Sequence, residues 1–222
     1  MRSSNQNDIT AFIGQKGSGK TTLATYEMLF RNEPVIIIDT IRQFGELDYR
    51  YIANSLSELR FYLFNPTYSK VIRRGNFQVS FRPKFSDLKK EIDEAIKMLF
   101  DFKNCSIYFE EIELYTDQYI NNKSPLFSLF SLSRNRGHNL IITAKTLTTF
   151  KNNLREAIDY FYLSNHSTDE LIKFVLKQFT KGDKARIEGI IRGLKDKEFL
   201  KISRGKNLGI FKINKQTANK LK

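Results

Sequence analysis

The chain has no tryptophan, one cysteine, two histidines and four prolines, and these shortages close off several classes of protein. A single thiol, Cys105, excludes an internal disulfide and a cysteine-built metal site. It reads as a small residue leading into a strand. His138 and His166 have no metal-ligand partners at useful spacing and read as loop residues. No uninterrupted apolar run approaches the ~18 residues of a membrane helix, so no span is expected. The N-terminus is polar and lacks an apolar signal core, which predicts an intracellular, non-secreted protein. No internal repeat or low-complexity linker breaks the 222 residues, a length that suits one α/β domain with a full core. Polar residues 1–8 are expected to be disordered, residues 9–213 to form the domain and 214–222 to be a basic tail.

Positive charge is abundant and unevenly placed. Lys and Arg number 37 against 24 Asp and Glu, a net of +13. Residues 181–222 hold 13 of those cations against 4 acids, a net of +9, so the rest of the chain carries only +4. A concentrated basic end suits a polyanionic partner. A solvated lysine-rich face suits the same count.

The most specific stretch is Gly14-Gln15-Lys16-Gly17-Ser18-Gly19-Lys20-Thr21, followed by Thr22. It matches the phosphate-binding pattern G-x-x-x-x-G-K-[ST] at every fixed position. Its glycines allow backbone geometries a Cβ would forbid, so successive N–H groups can turn onto a phosphate. A helix opening after the loop would add free amides and a positive dipole end. Lys20 supplies a cation for β- and γ-phosphates, and the Thr21 hydroxyl suits Mg²⁺. Context supports the match. Ile9–Ile13 reads as a strand before it, and Leu23, Ala24, Met28 and Leu29 recur at helical spacing after it. This predicts a nucleotide-binding loop.

Further along, Val35–Ile38 is an apolar run suited to a buried parallel strand, with Asp39 at its carboxyl end, where open α/β sheets bind ligands. Residues 40–70 are less regular, with Ser55-x-x-Glu58 a capping-box candidate. Val71–Arg74 and Phe77–Phe81 flank Gly75-Asn76 and fit a hairpin, although the second run equally fits an inner strand. Ser86 opens a helix with Leu88, Ile92, Ala95, Ile96, Leu99 and Phe100 on one face. Strands are expected at Ser106–Phe109, Leu140–Thr143 and Ile158–Leu163, with a helix over 124–133. Ser167-x-x-Glu170 is a second capping-box candidate, followed by helices to 193 and two strands, Lys197–Ser203 and Leu208–Ile213. Strands alternating with helices predict a mainly parallel sheet.

Hydrolysis needs a carboxylate in the Mg²⁺ shell and a second group to orient or activate water. Glu110 and Glu111 end a strand side by side, and alternation would aim them differently. Glu113 is the alternative acid.

Taken together, four features resemble the HerA/FtsK superfamily of DNA-pumping ATPases. They are the phosphate loop, the strand ending in paired acids, the Arg-containing segment Ser133–His138, and the strand ending at Ala144-Lys145-Thr146. The short chain and compact layout resemble genome-packaging ATPases of internal-membrane icosahedral viruses in particular. The resemblance runs from about residue 8 to residue 213. It implies a RecA-like P-loop NTPase fold with a mainly parallel sheet flanked by helices, ending in helices and a β-hairpin. It also implies ATP and Mg²⁺ as cofactors, a ring (usually a hexamer), and ATP-driven movement of double-stranded DNA. A capsid or portal-vertex protein is then a further partner, and the host cytoplasm or virion the location. On this resemblance Lys20 and Thr21 take the phosphate and Mg²⁺ positions, Glu110 the metal-associated acid and Glu111 the catalytic glutamate. Arg134 or Arg136 takes the place of an arginine finger offered to a neighbouring subunit, and Lys145 falls near the polar sensor. Glu110 stands where the family usually has Asp, and Lys145 where it usually has Gln or Asn. Residues 168–213 also resemble the outline of a winged helix, the other possibility being that they complete the ATPase sheet. Rival readings are a conjugation or phage-export ATPase of the same superfamily, a small-molecule or nucleoside kinase, and a non-motor ATP-dependent binding switch.

Overall fold

The sheet is built from continuous apolar runs rather than alternating ones because it is covered on both faces. The computed structural model describes residues 7–29, 31, 33–45, 50–68, 78–114, 116, 124–146, 152–165, 167–179, 184–203 and 206–213. The strands are β1 (Ile9–Ile13), β2 (Val35–Ile38), β3 (Arg50–Ala53), β4 (Gln78–Phe81), β5 (Ser106–Phe109), β6 (Asn139–Ala144), β7 (Tyr160–Leu163), β8 (Glu198–Ser203) and β9 (Lys206–Lys212). They form one sheet in the order β3-β4-β2-β5-β6-β1-β7-β8-β9. The first seven run parallel, and β8 and β9 add antiparallel at the β7 edge. Every residue of β1, β2, β4, β5 and β6 is buried.

Alternation along the strands separates two cores. Ile9, Ala11 and Ile13 of β1, Ile107 and Phe109 of β5, and Leu140 and Ile142 of β6 face one layer of helices. That layer comprises α2 (Leu56–Phe64), α3 (Leu88–Asp101), α4 (Pro125–Arg136), α5 (Asn152–Ala157), α6 (Asp169–Phe179) and α7 (Lys184–Arg192). Phe12, Tyr108, Ile141 and Tyr162 point the other way, against Leu23, Ala24 and Met28 of α1 (Lys20–Leu29). The predicted α3 face is the buried one, with Ile92, Ala95, Ile96 and Leu99 inside. Among the described residues no helix is long and apolar enough to cross a membrane.

Local signals succeed or fail for identifiable reasons. Ser55 caps α2 by accepting from the Glu58 N–H at 3.2 Å, while the Glu58 carboxylate turns to the Asn54 N–H at 2.8 Å. Ser124 accepts from the Phe127 N–H, Pro125 takes the first helical turn, and α4 runs three residues past its expected end to Gly137. The Ser167 capping box does not form. The Ser167 hydroxyl is buried with no hydrogen bond among the described residues, the Leu171 N–H meets Thr168 Oγ1 at 3.4 Å, and Glu170 pairs with Arg155. The strand β3 was not expected, since only two of its four residues are aliphatic. Residues 71–77 of the expected hairpin lie outside the described residues, and β4 is an inner strand between β3 and β2. Glu198–Ser203 and Lys206–Lys212 extend the sheet rather than forming a separate wing.

The amino edge of the sheet is clasped by polar groups. Glu33 accepts from Ser106 Oγ and from Asn139 Nδ2 at 2.8 and 3.0 Å, and Asn139 Oδ1 accepts from the Asp8 N–H at 3.0 Å. Arg31 pairs with Asp8 at 2.9 Å, and Asp159 accepts from the Ile9 N–H at 2.9 Å. Asp8, the last residue of the segment expected to be disordered, is buried and held in this clasp.

Leu99 is fully buried between α3 and the sheet. Leu99→Ala should therefore lower the unfolding free energy by about 2–5 kcal/mol in a urea titration. A loss under about 0.5 kcal/mol, the size of a surface change, would contradict this packing.

Candidate active site

The phosphate loop leaves the carboxyl end of β1 and is fastened to β6 by Gly14 N–H donating to Ala144 O at 3.1 Å. Gly17 and Gly19 adopt φ of 85° and 91°, left-handed conformations that a side chain would strain. The Leu23 N–H bonds Gly19 O at 2.9 Å and starts α1 directly behind the loop. Lys20, the first residue of α1, is buried, as is Ser18, while Gln15, Lys16 and Gly17 are exposed and Thr22 is half-buried. Lys20 thus sits at the start of the helix that follows the loop, where the dipole favours an anion.

β6 separates β1 from β5, so the acids reach the loop across the end of β6. Glu110 keeps the strand's alternation and shares the face of Tyr108. Its Oε1 accepts from Thr21 Oγ1 at 2.9 Å and its Oε2 from the Tyr108 hydroxyl. Thr40 Oγ1, at the end of β2, donates to the Glu110 carbonyl at 2.9 Å. Glu110 is 1% exposed, and burial raises its carboxyl pKa against the lowering effects of Tyr108, Thr21 and Lys20. Burial, and then the neighbouring Glu110 charge, push the Tyr108 phenol well above its usual range.

Glu111 would face the opposite layer if the chain stayed extended. Instead its φ of 42° turns it back, held by its N–H donating to Thr143 Oγ1 at 3.0 Å. Its carboxylate then lies 4.0 Å from Lys20 Nζ and 3.5 Å from Lys145 Nζ. A left-handed glutamate is a strained conformation, of the kind that collects at functional positions. Glu113 is engaged by the backbone: its Oε1 accepts from the Lys145 N–H at 2.8 Å, and burial raises its pKa. Asp39 is also committed, accepting from the N–H groups of Gln43 and Phe44 and from Ser80 Oγ, and pairing with Arg82.

The fold therefore gathers Lys20, Thr21, Glu110, Glu111 and Lys145 at one edge. Arg134 and Arg136 end α4 just before β6 begins, at the opposite edge, one six-residue strand or roughly 20 Å away. Arg134 is exposed and paired with Asp159. Arg136 donates to Phe100 O at 3.2 Å and lies over the Phe100 ring. His138, in the α4–β6 connection, is buried with Nε2 3.1 Å from Phe102 O, and burial lowers its pKa. His166 and Arg204 lie outside the described residues. Lys195 and Lys197 are exposed, whereas Lys201 stacks over Tyr160, Tyr162 and Phe211.

Sequence reasoning missed Tyr108 and Thr143. Tyr108 was accessible in principle, because a residue two before Glu110 on a strand shares its face. Thr143 depends on the β5–β6 register, which no local pattern encodes. Among the described residues no group of three or more His, Cys, Asp or Glu is arranged as a metal cage. The donor set still suits Mg²⁺, which favours one or two carboxylates and a hydroxyl completed by phosphate oxygens and waters. The paired Thr21 hydroxyl and buried Glu110 carboxylate supply that set.

No protein-family model and no curated protein matches the chain. Solved structures do match. The genome packaging NTPase B204 from Sulfolobus turreted icosahedral virus 2, in complex with AMPPCP, superposes with a TM-score of 0.69 at 16% identity, over 94% of this chain and 99% of that one. VirB4 of Thermoanaerobacter pseudethanolicus gives 0.58 at 12% identity, over 96% and 91%. The N-terminal domain of zonular occludens toxin from Neisseria meningitidis gives 0.51 at 12% identity, over 96% and 97%. These neighbours are HerA/FtsK-type P-loop ATPases. At such identities the likeness establishes the fold, a RecA-like P-loop NTPase with a mostly parallel sheet.

Tyr108→Phe removes a donor that favours ionised Glu110, so the acid should protonate at a higher pH. For a divalent ion held by the ionised carboxylate, Mn²⁺ binding followed by electron paramagnetic resonance should weaken, and its low-pH loss should begin at higher pH than in the wild type. An unshifted pH profile would mean that Tyr108 only packs.

Proposed function

We propose that the chain is an ATP-hydrolysing motor that assembles as a ring and moves double-stranded DNA, in the setting of viral genome packaging. The carrying observation is the joint arrangement of Lys20, Thr21, Glu110 and Glu111 at the carboxyl edge. Its support is a fold shared along nearly the whole chain with a genome packaging NTPase. In this reading residues 9–213 act as one ATPase domain with a basic tail, the ring is a hexamer, and a capsid or portal-vertex protein is its docking partner. The host cytoplasm and the virion are its sites of action.

The mechanism follows from the positions. The loop amides and Lys20 bind the β- and γ-phosphates of ATP, and Thr21 and Glu110 would hold Mg²⁺. That ion, when bound, neutralises phosphate charge. Glu111 accepts a proton from the attacking water, and its left-handed turn aims it at the γ-phosphate rather than into the helical layer. Lys145 lies close enough to Glu111 to sense the same phosphate by charge. Arg134 or Arg136 acts in a neighbouring subunit's site, because neither reaches the site of its own chain.

VirB4 and zonular occludens toxin among the neighbours favour a second reading, a conjugation or phage-export ATPase with the same chemistry. A kinase would instead present an acceptor site and remain small in solution.

The deciding experiment is ATP turnover with and without duplex DNA, read beside the mass in solution. The motor reading expects a ring and DNA-stimulated turnover. DNA affinity should fall with salt at a slope of about −0.9 per phosphate contact. Neutralising Lys195, Arg204 and Lys206 together should flatten that slope while ATP turnover without DNA persists. An assembled protein indifferent to DNA at low salt would fail the motor reading and advance the kinase.

Trans action has its own test. An Arg134→Ala/Arg136→Ala double mutant and a Glu111→Gln mutant should each lose roughly 10³-fold or more in rate. Mixed into one ring, they should recover activity at interfaces pairing an intact Arg with an intact Glu. Confirmed mixed rings without recovery would exclude these arginines as fingers.

A further inference from the structure

The phosphate loop has two sides. On one, β6 and β5 carry Thr143, Lys145 and the paired acids; on the other stand β7, β8 and β9. A nucleotide with its terminal phosphate among Lys20, Thr21 and Glu111, on the first side, and its chain laid across the loop would bring its nucleoside to the second side. The root of the β8–β9 hairpin stands there. Lys197 turns into β8 with φ of 63°, and its carbonyl accepts the Ile213 N–H at 3.0 Å, tying the end of β9 to the start of β8. This brings Ile213 onto the loop: a Cβ built on Gly19 would lie 2.6 Å from Ile213 Cδ1 and 3.8 Å from Lys197 Cγ.

Ile213 is half-buried and rests on the α1-face core, where Phe12 and Tyr162 stack with ring centres 4.5 Å apart. A firm apolar base thus supports a partly open apolar side chain beside the loop. Next to Gly14 on this side, the hydroxyls of Ser18 and Ser164 are buried and have no hydrogen-bond partner among the described residues. Unpaired buried hydroxyls are costly until a ligand pairs with them.

We propose that this hairpin root is the nucleoside seat of the site, with Ile213 packing against the base of the bound nucleotide. The inference rests on the phosphate-loop reading but concerns the other end of the ligand. It has a sharp consequence: Ile213 contributes to binding of nucleotides and not to binding of a bare polyphosphate.

Calorimetric titration of the full chain with a non-hydrolysable ATP analogue and with inorganic tripolyphosphate, both with Mg²⁺, separates these contributions. Ile213→Ala should weaken the nucleotide analogue about tenfold through lost apolar burial. It should leave tripolyphosphate affinity unchanged, and Ile213→Leu should stay close to wild type. Equal losses for both ligands would show that Ile213 only shapes the loop and would overturn the seat, as would no loss for either. Photolabelling of the wild-type protein with 8-azido-ATP does not depend on a variant folding, and its cross-link should fall in the peptide containing Ile213. A cross-link confined elsewhere overturns the proposal. Wild-type protein that binds neither ligand would refute the phosphate loop itself, and the seat with it.

Discussion

The hydrogen bond between the Thr21 hydroxyl and the Glu110 carboxylate is the contact on which the candidate site depends. It joins the start of α1, carried behind β1, to the end of β5, although β1 and β5 are separated by β6, and therefore by roughly 10 Å. The loop, fastened to the end of β6 through Gly14 and Ala144, carries Thr21 to that contact. The carboxylate that completes it is buried, which disfavours its charge, so the Tyr108 and Thr21 hydroxyls are needed to hold it in place. Glutamate is one methylene longer than aspartate. A buried phenol on its far oxygen is a simple way to fix that longer arm.

Glu111 shows how tertiary structure can reverse a strand's own rule. Alternation sends it away from the loop, and a left-handed backbone brings it back. The Thr143 hydroxyl, presented by the adjacent strand, takes its N–H and stabilises the turn. The result is two adjacent acids on one side of the sheet with different neighbours, one beside a hydroxyl pair and the other beside two lysines.

The sheet also keeps two edges apart. Its carboxyl edge gathers the phosphate loop and the acids, and its amino edge is locked by Glu33, Asn139, Asp8 and Asp159. Arg134 belongs to the locked edge through its pair with Asp159. Arg134 is therefore remote from the acids of its own chain, about one strand's length away.

Sequence alone determined the phosphate loop, because its chemistry lies in contiguous residues whose backbone freedom and charge act locally. It also determined the buried parallel strands and the α3 face, since apolar runs and helical spacing are local consequences of burial. It brought the paired acids to a strand end. It left open whether residues 168–213 made a wing or more sheet, and gave no hint of β3, whose short sequence has too few apolar residues. Only the tertiary structure decided that Glu111 turns back, that Tyr108 and Thr143 serve the acids, and that Ile213 reaches Gly19. Each of these depends on strand order and register, which bring together residues far apart in the chain and follow from global packing rather than from any local pattern.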